Sequence, residues 1–115
     1  MWINNKEVFK VTDEQKLKKV EKLIGYTYND ISLLKLALTH KSYAYEKGIT
    51  SNNDYNERIE YLGDAILEHI ISDMLYNDKK VYSEGEMTKK RAAIVCETSL
   101  SLALKEIGLQ NYIYL

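Results

Sequence analysis

Proline is absent from all 115 residues, and glycine occurs five times. Helices therefore meet none of the interior breaks that a missing amide donor would impose. Cysteine is almost as scarce: Cys96 stands alone, which excludes an internal disulfide and a cysteine-based zinc site and fits reducing, cytoplasmic surroundings. No apolar run approaches the roughly 18 residues of a membrane span, and the opening MWINNKEVFK lacks the apolar centre of a signal peptide. No membrane partner is expected. Charge of one sign is lacking too, because 16 basic residues face 17 acidic ones for a net charge of -1. A nucleic-acid partner would have to be held by local basic groups, a metal or another domain rather than by a strong overall field.

What remains is ordinary globular material, 45% hydrophobic and 29% charged, in a length that suits one domain with a real core. Apolar positions recur at helical spacing and no strand-like alternation is evident, so the expected fold is all-α with about five helices. A first helix is expected over residues 13–23, capped by Thr12 or Asp13, with Leu17, Val20, Leu23 and Ile24 on one side and Gly25 as its stop. A second spans 30–39 behind Asn29 as cap and runs into His40-Lys41-Ser42-Tyr43. Residues 48–53 read as a polar loop and 55–76 as the longest helix. Ser83 and Glu86 have the spacing of a capping box, which places a fourth helix from there to about Cys96. The last begins near Glu97 or Thr98 and stops at Gly108.

The long helix carries the most informative pattern. At about 100° per residue, Glu57, Glu60, Asp64 and Glu68 fall within an arc of roughly 80°, opposite an apolar stripe of Ile59, Leu62, Ile66 and Ile70. Like charges one turn apart cost a few tenths of a kcal/mol per pair, so something must compensate. Solvent and scattered lysines are one answer. The other is a hard divalent cation, since Mg²⁺ is commonly held by one or two carboxylates plus waters. Glu60 and Asp64 could supply the carboxylates, with Gly63 between them leaving room for close approach. Tyr61 falls about 40° from Glu57, beside the acids and away from the apolar stripe, which makes it a surface ring.

The local string Glu57-Arg58-Ile59-Glu60-Tyr61-Leu62-Gly63-Asp64-Ala65 resembles the signature of ribonuclease III, whose usual order is acid, basic, Leu, Glu, aromatic, Leu, Gly, Asp, small. Only Ile59 departs. Leu23-Ile24-Gly25-Tyr26 and Leu36-Ala37-Leu38-Thr39-His40-Lys41-Ser42-Tyr43 are similar to the family's opening helices, and Ser83-Glu84-Gly85-Glu86-Met87-Thr88 to its next turn, so the resemblance extends over about residues 20–115.

That resemblance implies an endonuclease domain over residues 1–115 that works as a homodimer on double-stranded RNA, using Mg²⁺, with Mn²⁺ as a possible substitute. It assigns catalytic positions to Glu57, Glu60 and Asp64, metal ligation to Glu60 and Asp64, and places Tyr61 and Glu84 at the dimer interface, the Tyr61 ring inserting into the other subunit. Lys89, Lys90 and Arg91 are candidates for RNA contact, against the plain reading of a solvated helix face. His40 and His69 are expected to pack or hydrogen-bond rather than to move protons. The ten tyrosines are expected at the edges of the core rather than under stacked bases. The family completes its acidic cluster with an Asp and a Glu on a later helix and often adds a double-stranded RNA-binding domain. Neither is found in these residues, so the chain is read as a fragment with weakened activity. The alternatives are a non-catalytic dimerisation or RNA-scaffolding module, and a helical adaptor whose acidic face only keeps it solvated.

Overall fold

The computed structural model describes residues 5–48 and 51–115, with side chains from residue 13 onward. Six α-helices follow in order: α1 (Asn5–Ile24), α2 (Ile31–Leu38), α3 (Lys41–Glu46), α4 (Glu57–Tyr76), α5 (Glu84–Val95) and α6 (Glu97–Glu106), then a 3₁₀ turn at Leu109–Tyr112. Among the described residues the only β pairing is an isolated parallel bridge between Thr39 and Tyr114, so the all-α expectation holds. None of the described helices is long and apolar enough to cross a membrane.

Several boundaries depart from the sequence expectation. Thr12 and Asp13 do not cap α1 but lie within it, because the helix begins at Asn5. Asp30, not Asn29, caps α2, its carboxylate accepting from the Ser32 amide at 3.1 Å. The helix count rises from five to six because α3 was not anticipated. Its cap is His40, whose Nδ1 accepts from the Ser42 amide at 3.2 Å, in keeping with the hydrogen-bonding role expected of that histidine. The loop expected over 48–53 is irregular where described, residues 49 and 50 lying outside the described set. Gly25 and Gly108 end their helices with φ of +70° and +78°, a left-handed conformation open to glycine at little cost.

The buried core is small and brings the first two helices together with the C-terminal segment. Leu17 and Val20 of α1 meet Leu34 and Leu38 of α2 and the ring of Tyr114. The C-terminal segment is fastened there by backbone bonds, Tyr114 N–H to the Leu38 carbonyl and His40 N–H to the Tyr114 carbonyl, both 2.9 Å. The Tyr114 hydroxyl donates to Asp13 at 2.7 Å, Lys35 donates to the other Asp13 oxygen at 2.9 Å, and the Lys16 ammonium lies 3.8 Å from the Tyr114 ring centroid. Partial burial pushes the Asp13 carboxyl up, but the hydrogen bonds from Lys35 and Tyr114 and the charges of Lys35 and Lys16 outweigh it, leaving its pKa below the usual carboxylate range.

A group whose folded pKa is depressed contributes stability that is full above its unfolded pKa, about pH 4 for Asp, and that is lost as pH falls through the folded value. Asp13→Asn should therefore flatten the acid limb of the stability profile. Melting temperatures from pH 7 to pH 2 should fall more steeply for the unsubstituted chain than for the variant below about pH 4. Parallel curves would contradict the clamp.

The apolar stripe of α4 does not face that core. Leu62, Ile66, Ile70 and Met74 are 58, 50, 48 and 64% exposed, and no residue of α4, α5 or α6 is fully buried. The radius of gyration, 17.8 Å, exceeds the roughly 13 Å of a compact domain of this length. An extended arrangement of helices has too little depth to bury a second core, which is why a stripe that reads as core on the helical wheel stays open.

Candidate functional site: an acidic groove between α4 and α6

The start of α4 is held in place by its own N-terminal residue. Asn56 donates its backbone N–H to the Thr39 carbonyl at 2.9 Å and its side-chain amide to the Ala37 carbonyl at 3.2 Å. Its side chain thus anchors the helix to α2 instead of capping it. Glu57 and Glu60 occupy the first turn of α4, where the helix dipole favours acids. Asp64 lies one turn further on, past most of that benefit.

α5 runs back along α4. The Ser83 hydroxyl accepts from the Glu86 amide at 3.2 Å while the Glu86 carboxylate accepts from the Ser83 amide at 2.9 Å, the expected capping box. Farther along, Arg91 donates to the Ser72 hydroxyl at 2.9 Å, and Ser72 itself donates to the Glu68 carbonyl at 2.6 Å. The far end of α5 turns at Cys96, exposed and unpaired with another cysteine, directly into α6. This corner sets α6 opposite the first half of α4.

The resulting groove has an open volume of about 640 Å³ and is lined by Glu60, Asp64, Val95, Glu97, Leu100, Ser101 and Leu104. Two acids singled out on the sequence are thus together, and a third, Glu97, joins them from the first turn of α6. Glu97 was read only as a helix start; nothing local marks it, because its neighbourhood is created by the α5–α6 corner. Among the described residues the ion pairs within 4.0 Å are Lys35 with Asp13 and Lys41 with Glu57, so Glu60 and Asp64 line the groove with no cation paired to either.

The other predicted positions lie elsewhere. Glu57 does not line the groove; it is 3.9 Å from Lys41, whose pKa is raised chiefly by the Glu57 charge. Glu84 lines a separate cleft of about 420 Å³ between α4 and α5, with His69, Asp73, Tyr76, Met87 and Arg91 among its walls. Lys89 and Lys90 are exposed on α5, whereas Arg91 is half-buried against Ser72. Tyr61 is 83% exposed, in keeping with its expected place outside the core. Gly63 has open space beside it, since an added Cβ would meet no atom within 4 Å.

The chemistry of the donor set fits a hard divalent ion in part. Glu60 and Asp64 present carboxylate oxygens one turn apart on an open groove, enough for an ion that keeps several waters. They do not amount to a full cage: among the described residues no three His, Cys, Asp or Glu side chains are grouped so as to hold a metal. Glu97 shares the groove without closing the shell.

Comparison with known proteins bears on what such a groove is for. Residues 30–115 match the sequence model of the family described as Ribonuclease-III-like. The chain belongs to that family. Curated relatives named Ribonuclease 3 include those of Clostridium beijerinckii, 44% identical over 97 residues, and Clostridium tetani, 46% identical over 97 residues. In each, the match covers 84% of this chain and 40% of the relative, so the chain spans about two fifths of their length. Among solved structures, the ribonuclease III nuclease domain of Campylobacter jejuni, described as flexible in a region involved in dimer formation, aligns with a TM-score of 0.69 at 35% identity, over 85% of this chain and 62% of that one. The ribonuclease III resemblance read from the α4 signature and its flanks is thus met by both sequence and fold.

Proposed function

We propose that this chain supplies catalytic residues to a ribonuclease III-type endonuclease that hydrolyses phosphodiesters of double-stranded RNA. The observation that carries the reading is the pair Glu60 and Asp64: two carboxylates one turn apart on a groove wall, without a cationic partner among the described residues, on the helix that bears the family signature. A solvated acidic face would need no groove, and an adaptor would have no reason to keep both acids facing α6.

Glu60 and Asp64 would hold Mg²⁺, or Mn²⁺ in its place, through carboxylate oxygens and bridging waters. When bound, such an ion lowers the pKa of a water to make a nucleophile and offsets charge on the phosphate. The chain's own contribution is placement. α4 fixes the two carboxylates relative to each other, Asn56 fixes α4 relative to α2, and Glu57, one turn before Glu60, is held toward Lys41 outside the groove. Lys89 and Lys90 offer phosphate contacts on α5, while Arg91, next in sequence, is half-buried against Ser72. The working form is a homodimer with Tyr61 as its aromatic anchor and Glu84 near the interface. A single exposed thiol suits a cytoplasmic setting.

The assay uses the chain alone and a chimera that supplies the part of the Campylobacter jejuni nuclease domain this chain does not match. With Mg²⁺, the chimera should cut duplex RNA and spare a single strand of the same sequence, and the chain alone should cut weakly, because two carboxylates hold the ion too loosely to align water and phosphate. A chimera that folds and cuts neither, or both equally, would overturn the reading in favour of a non-catalytic module or a different nuclease.

A further inference from the structure

The basic run Lys89-Lys90-Arg91 is continuous in sequence but not in space. Arg91 turns inward, half-buried, with its guanidinium on Ser72 of α4. Lys90 turns the other way: its ammonium lies 4.8 Å from the centroid of the Tyr82 ring. The same ring is approached by Lys80 at 5.8 Å from the loop that joins α4 to α5. Lys79 precedes it in that loop and Lys89 adjoins Lys90 on α5, and all four lysines are exposed.

We infer that Lys80 and Lys90, which share the ring of Tyr82, form with their exposed neighbours Lys79 and Lys89 a surface for the phosphates of duplex RNA, and that Arg91 belongs to the fold instead. The inference rests on the ribonuclease III reading for the identity of the partner; the grouping itself comes from geometry. Two ammonium groups on one ring are at most about 11 Å apart. Their mutual repulsion is softened by the ring's negative face, yet no carboxylate lies within 4.0 Å of any of the four among the described residues. Asp78 accepts from the Lys80 backbone amide at 2.9 Å and Glu86 from the Ser83 amide, so the bonds these two carboxylates make are to backbone and not to a lysine ammonium. A closely spaced row of phosphates answers several exposed lysines at once.

Position favours the same partner. Lys90 precedes Val95, a wall of the acidic groove, by five residues, or about 8 Å of helix rise. Asp64 precedes the end of α4 by about 18 Å at the same rise. A duplex is long enough to span these distances, so one RNA could reach both the lysines and the groove. Lysines bind phosphates without reading sequence, which suits a cutter of generic duplex.

The test measures binding of a short duplex RNA to the whole chain between 50 and 200 mM salt, without Mg²⁺. Each lost phosphate contact lowers the slope of log affinity against log salt by about 1. Lys79→Gln with Lys80→Gln should therefore reduce the slope by about 2, and Lys89→Gln with Lys90→Gln by a similar amount. Arg91→Gln should leave the slope within experimental error and lower the melting temperature, because it removes the bond between α5 and α4. Circular dichroism on the lysine variants checks that helix content is kept. An unchanged slope in Lys79→Gln/Lys80→Gln while the unsubstituted chain binds duplex RNA would overturn this surface and leave the nuclease reading standing. Failure of the unsubstituted chain to bind duplex RNA would overturn both. Tighter binding of polyglutamate than of the duplex would assign the surface to an acidic protein partner and overturn the inference.

Discussion

Replacing Glu60 with Gln, or Asp64 with Asn, should lower Mg²⁺-dependent cleavage of duplex RNA by at least about two orders of magnitude, the scale on which loosened positioning at a reacting centre costs rate. Each change removes one charge and one strong oxygen donor at constant shape, so helix content should not fall. The stability of the metal-free protein should even rise slightly for Asp64→Asn, whereas in Glu60→Gln the lost helix-dipole benefit in the first turn offsets that gain. Glu60 and Asp64 are like charges one turn apart, a repulsion of a few tenths of a kcal/mol, and neither has a salt-bridge partner among the described residues to offset it. For Asp64→Asn, loss of cleavage together with a small gain in metal-free stability distinguishes a functional charge pair from a structural one. The rate is measured on the chimera with and without each substitution, and stability by urea unfolding in EDTA. A variant that cuts at near the original rate with the same Mg²⁺ requirement would remove these residues from the site.

If the working form is the homodimer proposed above, Tyr61→Ala should move it toward monomer. The ring is 83% exposed in the second turn of α4, beside the acids and apart from the half-exposed stripe of Leu62, Ile66 and Ile70. An exposed aromatic anchor that fills a partner's pocket is commonly worth roughly 2 kcal/mol or more. Two-fold symmetry buries it twice. The expected loss is then about 4 kcal/mol, nearly three orders of magnitude in Kd. Sedimentation at micromolar concentration should show the shift while the helical circular dichroism signal stays constant. A dimer of unchanged affinity would remove Tyr61 from the interface, and a chain that unfolds on substitution would make the ring structural.

Features determined by neighbours in sequence were legible in advance. The Ser83–Glu86 box needs only the spacing of two side chains around the first turn of α5, and it forms as read. Gly25 and Gly108 end their helices for a reason that is equally local. The acid arc of α4 follows from helix geometry once the helix is granted.

What escaped the sequence reading is set at long range. Asp13 has the composition of a helix cap, but its carboxylate is engaged by Lys35 and by Tyr114, 101 positions away, and α1 continues through it toward Asn5. α3 is only six residues, KSYAYE, too short to display an apolar period, and its cap is a histidine rather than a favoured Ser, Asp or Asn. The stripe of Leu62, Ile66 and Ile70 has the pattern of a core face, yet pattern identifies what wants burial and not what is available to cover it. Glu97 comes to the groove only because α5 and α6 meet at a tight corner.

The most direct measurement of the central claim is a Mn²⁺ titration of the isotopically labelled 115-residue chain followed by NMR, where a bound paramagnetic ion broadens the amide signals nearest to it. The account predicts selective broadening around residues 60–64 of α4 and the facing residues 95–101, abolished in the Glu60→Gln/Asp64→Asn double variant. Broadening centred elsewhere, or the same pattern persisting in the double variant, would contradict a divalent-metal site at Glu60 and Asp64.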